Sequence, residues 1–264
     1  MKRTLKIAAP FGIPLRLHWT FGMVFVYVFF IAWEGRWDWQ VTLMVFGLIV
    51  SLFVCVTLHE YGHALMARRF GVNTQDILLS PIGGIARLDR IPSRPKEEFL
   101  VAIAGPAVNF LLAALLGTYL FTFPAYLRRH LLQSLFFQES NYFLPELPLT
   151  GYALLMLFFL NIVLAVFNLI PAFPMDGGRI LRAALCTRLP RYTATLIAAR
   201  IGQAFAIAFA AFGIYRMVQS GGREGIFYLF ISTFVFMTAQ NELRFVEVQA
   251  RIENVLDAGI KEFE

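Results

Sequence analysis

The stretch Val41–Arg68 reads VTLMVFGLIVSLFVCVTLHEYGHALMAR, an apolar run that ends with the polar sequence HEYGH at positions 59–63. It is longer than the roughly 20 residues that an α-helix needs to cross the hydrocarbon core of a bilayer. Ionisable side chains inside such a helix are costly unless they pair with one another or bind a metal ion. The stretch therefore predicts a membrane helix that carries a functional site near its C-terminal end.

The composition of the whole chain indicates a polytopic membrane protein. Of the 264 residues, 58% are hydrophobic and 15% are charged, and the mean hydropathy is +0.65. Six apolar segments have approximately the length of a membrane span. We predict an all-α polytopic membrane protein whose six transmembrane helices cover approximately residues 18–33, 41–68, 99–121, 150–170, 196–217 and 225–243.

The basic residues lie mostly on one side of these predicted helices. The N-terminal segment, the loops after the second and fourth helices and the C-terminal segment are rich in Lys and Arg, whereas the opposite side holds only Arg36, Arg128, Arg129, Arg216 and Arg223. The positive-inside rule therefore predicts a cell-membrane protein with both termini in the cytoplasm. This bias and contact with anionic membrane lipid explain the formal net charge of +6, so we expect no nucleic-acid partner.

Two shorter segments complete the predicted architecture. Between the second and third helices, two β-prone runs are broken by Pro81, Gly83 and Gly84, which predicts a small β-hairpin or a structural re-entrant loop. After the last span, apolar residues recur at helical spacing and predict an amphipathic helix. We therefore divide the chain into a six-helix transmembrane domain at residues 1–243 and a cytoplasmic amphipathic tail helix at residues 244–264.

The HEYGH sequence has the spacing of a zinc site. His59 and His63 are four residues apart, so on an α-helix their rings project from one face and can reach a single zinc ion. Glu60 is rotated by about 100° from His59, which places its carboxylate beside the ion, where it can act as a general base. A polar cluster satisfied without a metal is the alternative, but it leaves three ionisable groups in an apolar helix.

A third protein ligand is expected, because catalytic zinc sites use three such ligands and keep one position open. The best candidate is Asp176, which follows Pro171 and Pro174 where a new helix starts after the fourth span. Asp176 could instead be only the N-cap of that helix, and the two roles can coexist. Asn168, eight residues earlier, either donates an interhelical hydrogen bond or donates its amide to an oxyanion near the metal.

These motifs resemble those of the site-2 proteases, a family of intramembrane zinc metalloproteases. The similarity extends over most of the chain, through HEYGH at 59–63, NLIPAFPMDG at 168–177, PIGG at 81–84 and AGPAVN at 104–109. Some members carry a PDZ domain or a pair of CBS domains. We expect neither in this chain, which is most similar to the compact prokaryotic form.

The resemblance implies a specific site and reaction. One Zn²⁺ per chain would be held by His59, His63 and Asp176, with Glu60 as the general base and Asn168 in contact with substrate or oxyanion. The substrate would be a single-pass or polytopic membrane protein, cut in or near a transmembrane segment, as in regulated intramembrane proteolysis. A zinc-binding transporter or a non-proteolytic receptor is the alternative, although internal repeats and a path of intramembrane carboxylates are not evident in the sequence. The sequence does not predict the oligomeric state.

Overall fold

The structure is a computed structural model that describes residues 4–81, 83–92, 94–125, 149–220 and 225–261. The chain forms two compact units. The first consists of Met1–Ile91 and Ala104–Val166, and the second consists of Pro92–Ile103 and Phe167–Glu264.

The described part of the chain is mostly helical. Its α-helices are α1 (Phe21–Glu34), α2 (Trp39–Arg69), α3 (Pro95–Phe121), α4 (Leu149–Asn168), α5 (Asp176–Leu185), α6 (Arg191–Gln219) and α7 (Ile226–Lys261). Five of these, α2, α3, α4, α6 and α7, are long and apolar enough to cross a membrane. They match five of the six predicted spans in length and composition.

The first predicted span is shorter than expected. Helix α1 is apolar but has only 14 residues, so at 1.5 Å per residue it extends about 21 Å, less than the roughly 30 Å of a bilayer core. The prediction of six transmembrane helices therefore stays a prediction.

The first unit contains a four-stranded sheet, formed by β1 (Thr4–Ala8), β2 (Leu15–His18), β3 (Thr74–Ser80) and β4 (Gly83–Leu88) in the order β1-β2-β3-β4. Strands β3 and β4 are antiparallel and form the hairpin that the sequence predicts between the second and third spans. Strand β2 runs parallel to β3, and β1 is antiparallel to β2. The two N-terminal strands were not predicted, so the description of the fold as all-α with a hairpin understates its sheet.

The sheet packs on the C-terminal part of α2. Tyr61 and Ala64 of the helix form a buried core with Ile13, Ile77 and Leu79, and the Tyr61 hydroxyl donates to the carbonyl of Ile13 at 3.2 Å. Because Tyr61 lies inside the HEYGH sequence, this packing fixes the polar end of α2 against the sheet.

The second unit is organised around a buried arginine on α5. Arg182 is 1% exposed, and its Nε donates to the Glu98 carboxylate at 2.6 Å. Arg191 donates to the other oxygen of Glu98 at 2.9 Å. The Arg182 guanidinium also lies over the Phe173 ring, 4.9 Å from its centroid. These contacts hold α5 to the start of α3, to α6 and to the loop that precedes Asp176.

The last helix continues through the predicted end of the final span. Helix α7 runs for 36 residues from Ile226 to Lys261, so the predicted tail helix is a continuation of the final span. The residues after Lys261 lie outside the described part of the chain. The division into two domains at residue 243 stays a prediction.

Candidate metal centre

Two imidazole rings meet near the C-terminal end of α2. His59 and His63 are buried, and their Nε2 atoms are 3.0 Å apart. Two nitrogen ligands at about 2.0–2.1 Å from one tetrahedral zinc ion lie about 3.3 Å apart. The four-residue spacing on one helix therefore gives a separation that is close to what a shared zinc ion requires.

A glycine on α3 leaves the space in which the two rings meet. A Cβ atom on Gly105 would collide with His63 Nε2 and would lie 2.7 Å from His59 Nε2. No side chain larger than a hydrogen atom fits at this position without displacing the rings. Gly105 is part of the AGPAVN sequence at 104–109, for which the sequence alone gave no physical reason.

The far side of the His59 ring is bonded to an asparagine of α3. His59 Nδ1 lies 2.5 Å from Asn109 Oδ1, and Nε2 is the ring nitrogen that faces His63. Such a hydrogen bond to the second ring nitrogen is the usual way in which a metal-binding histidine is oriented. Asn109 in turn bonds to Asn161 of α4. Sequence reasoning gave neither asparagine a role, although a fully buried Asn in a membrane helix is a recognisable signal.

Glu60 lies next to the hairpin. Its carboxylate accepts the backbone N–H of Ala86 on β4 at 2.9 Å. A Cβ atom on Gly84 would lie 2.7 Å from Glu60 Cγ, so a glycine is needed where the strand passes the side chain. Because β4 is the last strand in the sheet order, the edge that faces Glu60 has no strand partner among the residues that the structure describes.

Asp176 is the first residue of α5 and is 9% exposed. Met175 occupies the N-cap position, and its side chain makes no capping hydrogen bond. The alternative that Asp176 is only the N-cap is therefore wrong in its detail, since the carboxylate is one residue further into the helix. A carboxylate in the first turn is still favoured by the positive end of the helix dipole.

The structure groups the three predicted ligands. His59, His63 and Asp176 each offer one donor atom, and these atoms all lie within 4.8 Å of one another. Two imidazole nitrogens and one carboxylate oxygen are donors that zinc accepts, and three protein ligands are the number found in catalytic zinc sites. The residues therefore fit a zinc ion. Asn168 is the half-buried last residue of α4, and its contact with substrate or oxyanion stays a prediction.

Comparison with known proteins identifies the family. Residues 47–209, more than half of the chain, match peptidase family M50. The chain belongs to peptidase family M50. A zinc metalloprotease of Methanocaldococcus jannaschii is 37% identical over 97% of this M50 chain and 65% of its own length. A relative from Synechocystis sp. is 29% identical over 96% of the chain and 63% of its own length. The chain thus spans less than two thirds of the length of these curated relatives.

A solved structure supports the same family. A site-2 protease from Methanocaldococcus jannaschii matches with a TM-score of 0.63 and 34% sequence identity. The match covers 91% of this M50 chain and 95% of that chain. The resemblance to site-2 proteases is confirmed, and with it the helical fold with a small sheet. The expectation of a compact form without PDZ or CBS domains stays a prediction.

Proposed function

We propose that this M50 chain is an intramembrane zinc metalloprotease that hydrolyses a peptide bond in or near a transmembrane segment of another membrane protein. Membership of the family and a relative named as a zinc metalloprotease support this function. The observation that carries it is the grouping of the donor atoms of His59, His63 and Asp176 at the end of an apolar helix.

The three ligands would hold one Zn²⁺ ion. When bound, zinc supplies Lewis-acid chemistry, because it polarises a carbonyl group and makes a neighbouring water more acidic. The protein's part is to present two neutral imidazoles and one carboxylate in a dry site. The burial of all three side chains supports this role, since electrostatic interactions are stronger where water is excluded.

Glu60 is proposed as the general base. It follows His59 directly in α2, so its carboxylate can take a proton from the attacking water and later give it to the leaving amine. The peptide C–N bond is thereby exchanged for a C–O bond, and the two products leave as a carboxylate and an amine. Asn168 is proposed to donate its amide to the substrate carbonyl oxygen as negative charge develops there.

The substrate is proposed to bind as an extended strand along β4. A helical segment hides its peptide bonds, so it must unwind locally before hydrolysis. In the described part of the chain the outer edge of β4 has no strand partner, and at Ala86 it faces Glu60. Main-chain hydrogen bonds of the β-augmentation type would hold the unwound segment beside the general base.

We also propose six transmembrane helices, with α1 as the first, in a cell membrane and with both termini in the cytoplasm. The excess of Lys and Arg on one side of the spans supports this orientation. Membrane lipid then surrounds the many exposed apolar side chains of the helices, such as Leu43, Leu111 and Phe205.

Replacement of Glu60 tests the catalytic proposal. The full chain and its Glu60→Gln variant are purified in detergent, their zinc content is measured by mass spectrometry, and both are incubated with candidate membrane-protein substrates. We expect zinc to be retained and the cleavage rate to fall by about 10²–10⁴-fold, the usual contribution of a general base. The matched control is Glu34→Gln, at the exposed end of α1, which should cleave normally. Undiminished cleavage by Glu60→Gln would reject the proposed role.

A further inference from the structure

A series of buried hydrogen bonds connects the backbone of α4 to the ring of His59. Asn161 Nδ2 donates to the carbonyl oxygen of Leu157 at 2.8 Å and contacts the Cys55 sulfur at 3.3 Å. Asn161 Oδ1 accepts from Asn109 Nδ2 at 2.9 Å, and Asn109 Oδ1 lies 2.5 Å from His59 Nδ1. Both asparagines are 0% exposed. All of these residues belong to the first compact unit.

The donor direction along this series is fixed at the Leu157 end. A backbone carbonyl can accept a hydrogen bond and cannot donate one. Asn161 must therefore turn its NH₂ group toward Leu157 and its oxygen toward Asn109. Asn109 must then donate, which leaves its own oxygen facing His59. Because that oxygen only accepts, the ring of His59 carries its proton on Nδ1 and keeps the lone pair on Nε2.

We propose that Asn161 is a positioning residue that sets the tautomer of His59 through Asn109. The proposal rests on the proposed function, because a metal ligand needs the lone pair on the nitrogen that faces the metal. His59 Nε2 is that nitrogen, since it is the atom that lies 3.0 Å from His63 Nε2. Asn161 reaches the ring of His59 through Asn109.

Removal of the Asn161 side chain releases Asn109 from this constraint. The Asn109 amide can then rotate by a half turn and present its NH₂ group to His59 Nδ1. The ring would accept that hydrogen bond on Nδ1 and carry its proton on Nε2, where the proton competes with a metal ion. The predicted consequence is weaker zinc binding together with a changed proton position on His59.

A structural role for Asn161 makes a different prediction. Buried amides in membrane helices often serve as interhelical hydrogen bonds that only hold helices together. The second compact unit offers a matched case, because Gln203 of α6 donates to Gln240 of α7 at 2.7 Å. Gln203 is 4% exposed, and within the described residues its side-chain amide bonds to Arg200 and to Gln240. Its loss should lower stability and leave zinc binding unchanged.

The test compares three variants of the full chain in detergent: Asn161→Leu, Asn161→Asp and Gln203→Leu. Zinc affinity is measured by competition with a chromophoric chelator, and the proton position on each histidine is measured by ¹⁵N NMR of the metal-free protein. We expect zinc binding of Asn161→Leu to be about 10–100-fold weaker, the usual effect of losing a partner behind a metal ligand. We expect the His59 proton of this variant on Nε2.

The conservative variant should rescue both measurements. Neutral aspartic acid has one O–H donor for the Leu157 carbonyl and one acceptor oxygen for Asn109, so Asn161→Asp should keep the Nδ1–H form of His59 and bind zinc like wild type. Gln203→Leu should have a lower melting temperature with wild-type zinc affinity.

Each outcome decides the proposal. A folded Asn161→Leu variant with wild-type zinc affinity and the Nδ1–H form of His59 overturns it. If that variant does not fold, ¹⁵N NMR of the metal-free wild-type protein tests the proposal. A proton on Nε2 of His59 overturns the proposal, and a proton on Nδ1 supports it. Wild-type protein that binds no zinc refutes the proposed function, while the NMR measurement still tests the control of the tautomer.

Discussion

Gly105 shows how a single missing side chain can determine whether a metal site forms. The three nearest atoms to a Cβ placed here are Nε2 and Cε1 of His63 and Nε2 of His59, and both nitrogens are needed as ligands in the proposed function. A methyl group at this position has to displace one ring or both, and the rings are themselves buried and held by packing. The close approach of α3 to α2 is therefore part of the candidate metal centre.

We predict that Gly105→Ala weakens zinc binding by about tenfold or more, the effect expected when a ligand loses its orientation. Chelator competition on the purified full chain measures this change. The matched control is Gly47→Ala, on the same helix as the histidines, where a Cβ atom would meet nothing within 4 Å. Equal zinc affinities for the two variants would show that the rings tolerate the methyl group.

At the scale of the element, the hairpin is held by a buried carboxylate. Asp76 of β3 is 3% exposed, and its oxygens bond to Arg87 of β4 and lie 2.9 Å from Nε of Arg16 of β2. The Arg87 hydrogen bond is the largest cause that holds the pKa of Asp76 below its ordinary value of 3.8, against the opposing effect of burial. One carboxylate thus joins three of the four strands.

This pKa shift predicts the pH dependence of the sheet. A carboxyl group whose folded pKa is lowered stabilises the fold above its unfolded pKa, and that stabilisation is lost as the pH falls through the lower, folded pKa. The contribution of Asp76 should therefore be constant at neutral pH and decline only below about pH 4.

Asp76→Asn should lower the free energy of unfolding by about 1–3 kcal/mol near neutral pH. The effect is no larger because Arg16 and Arg87 are both 39% exposed, and solvent weakens their ion pairs with Asp76. Thermal unfolding in detergent as a function of pH measures the effect. The difference between wild type and variant should shrink below about pH 4. A difference that is the same at pH 3 and pH 7 would contradict this account.

The elements differ in how far the sequence predicts them. The helix that carries HEYGH and the helix that begins at Asp176 follow from local signals, namely an apolar run and paired prolines. Strands β1 and β2 are short, and the pairing of β2 with β3 joins residues that are distant in sequence. The local signal for the two strands is the alternation of apolar residues at Leu5, Ile7, Leu15 and Leu17. The partners of Asn109 depend on how three helices pack, which no local pattern encodes.

At the scale of the whole molecule, the sheet bears on the number of membrane crossings. Strand β2 ends at His18 and pairs with β3, which begins at Thr74, although α2 lies between them in the chain. If α2 crosses the membrane, the chain must cross once more between β2 and α2, and α1 is the element available. The sheet packs on α2 at Tyr61 and Ala64, before the helix ends at Arg69. Because α1 follows the sheet directly, it starts part-way along α2, and a helix shorter than α2 can cover the remaining distance.

Cysteine labelling tests this topology. Lys6→Cys on β1 and Arg36→Cys between α1 and α2 are each made in a chain that carries Cys186→Ser, and intact cells are treated with a membrane-impermeant maleimide. Both positions are exposed, and the other native cysteine, Cys55, is buried. We expect Arg36→Cys to react in intact cells and Lys6→Cys only after permeabilisation. Reaction of both from the same side would show that α1 does not cross.

The hydrogen bond between Ala86 and Glu60 would hold the proposed general base in place until a substrate binds. A peptide that adds to the outer edge of β4 at this point competes for the Ala86 N–H, which Glu60 accepts at 2.9 Å in the structure. Arrival of such a peptide would release the carboxylate at the moment when it is needed for proton transfer. Without a peptide the Glu60 carboxylate stays hydrogen-bonded to Ala86, so β4 would lower the activity of the enzyme while no substrate is bound.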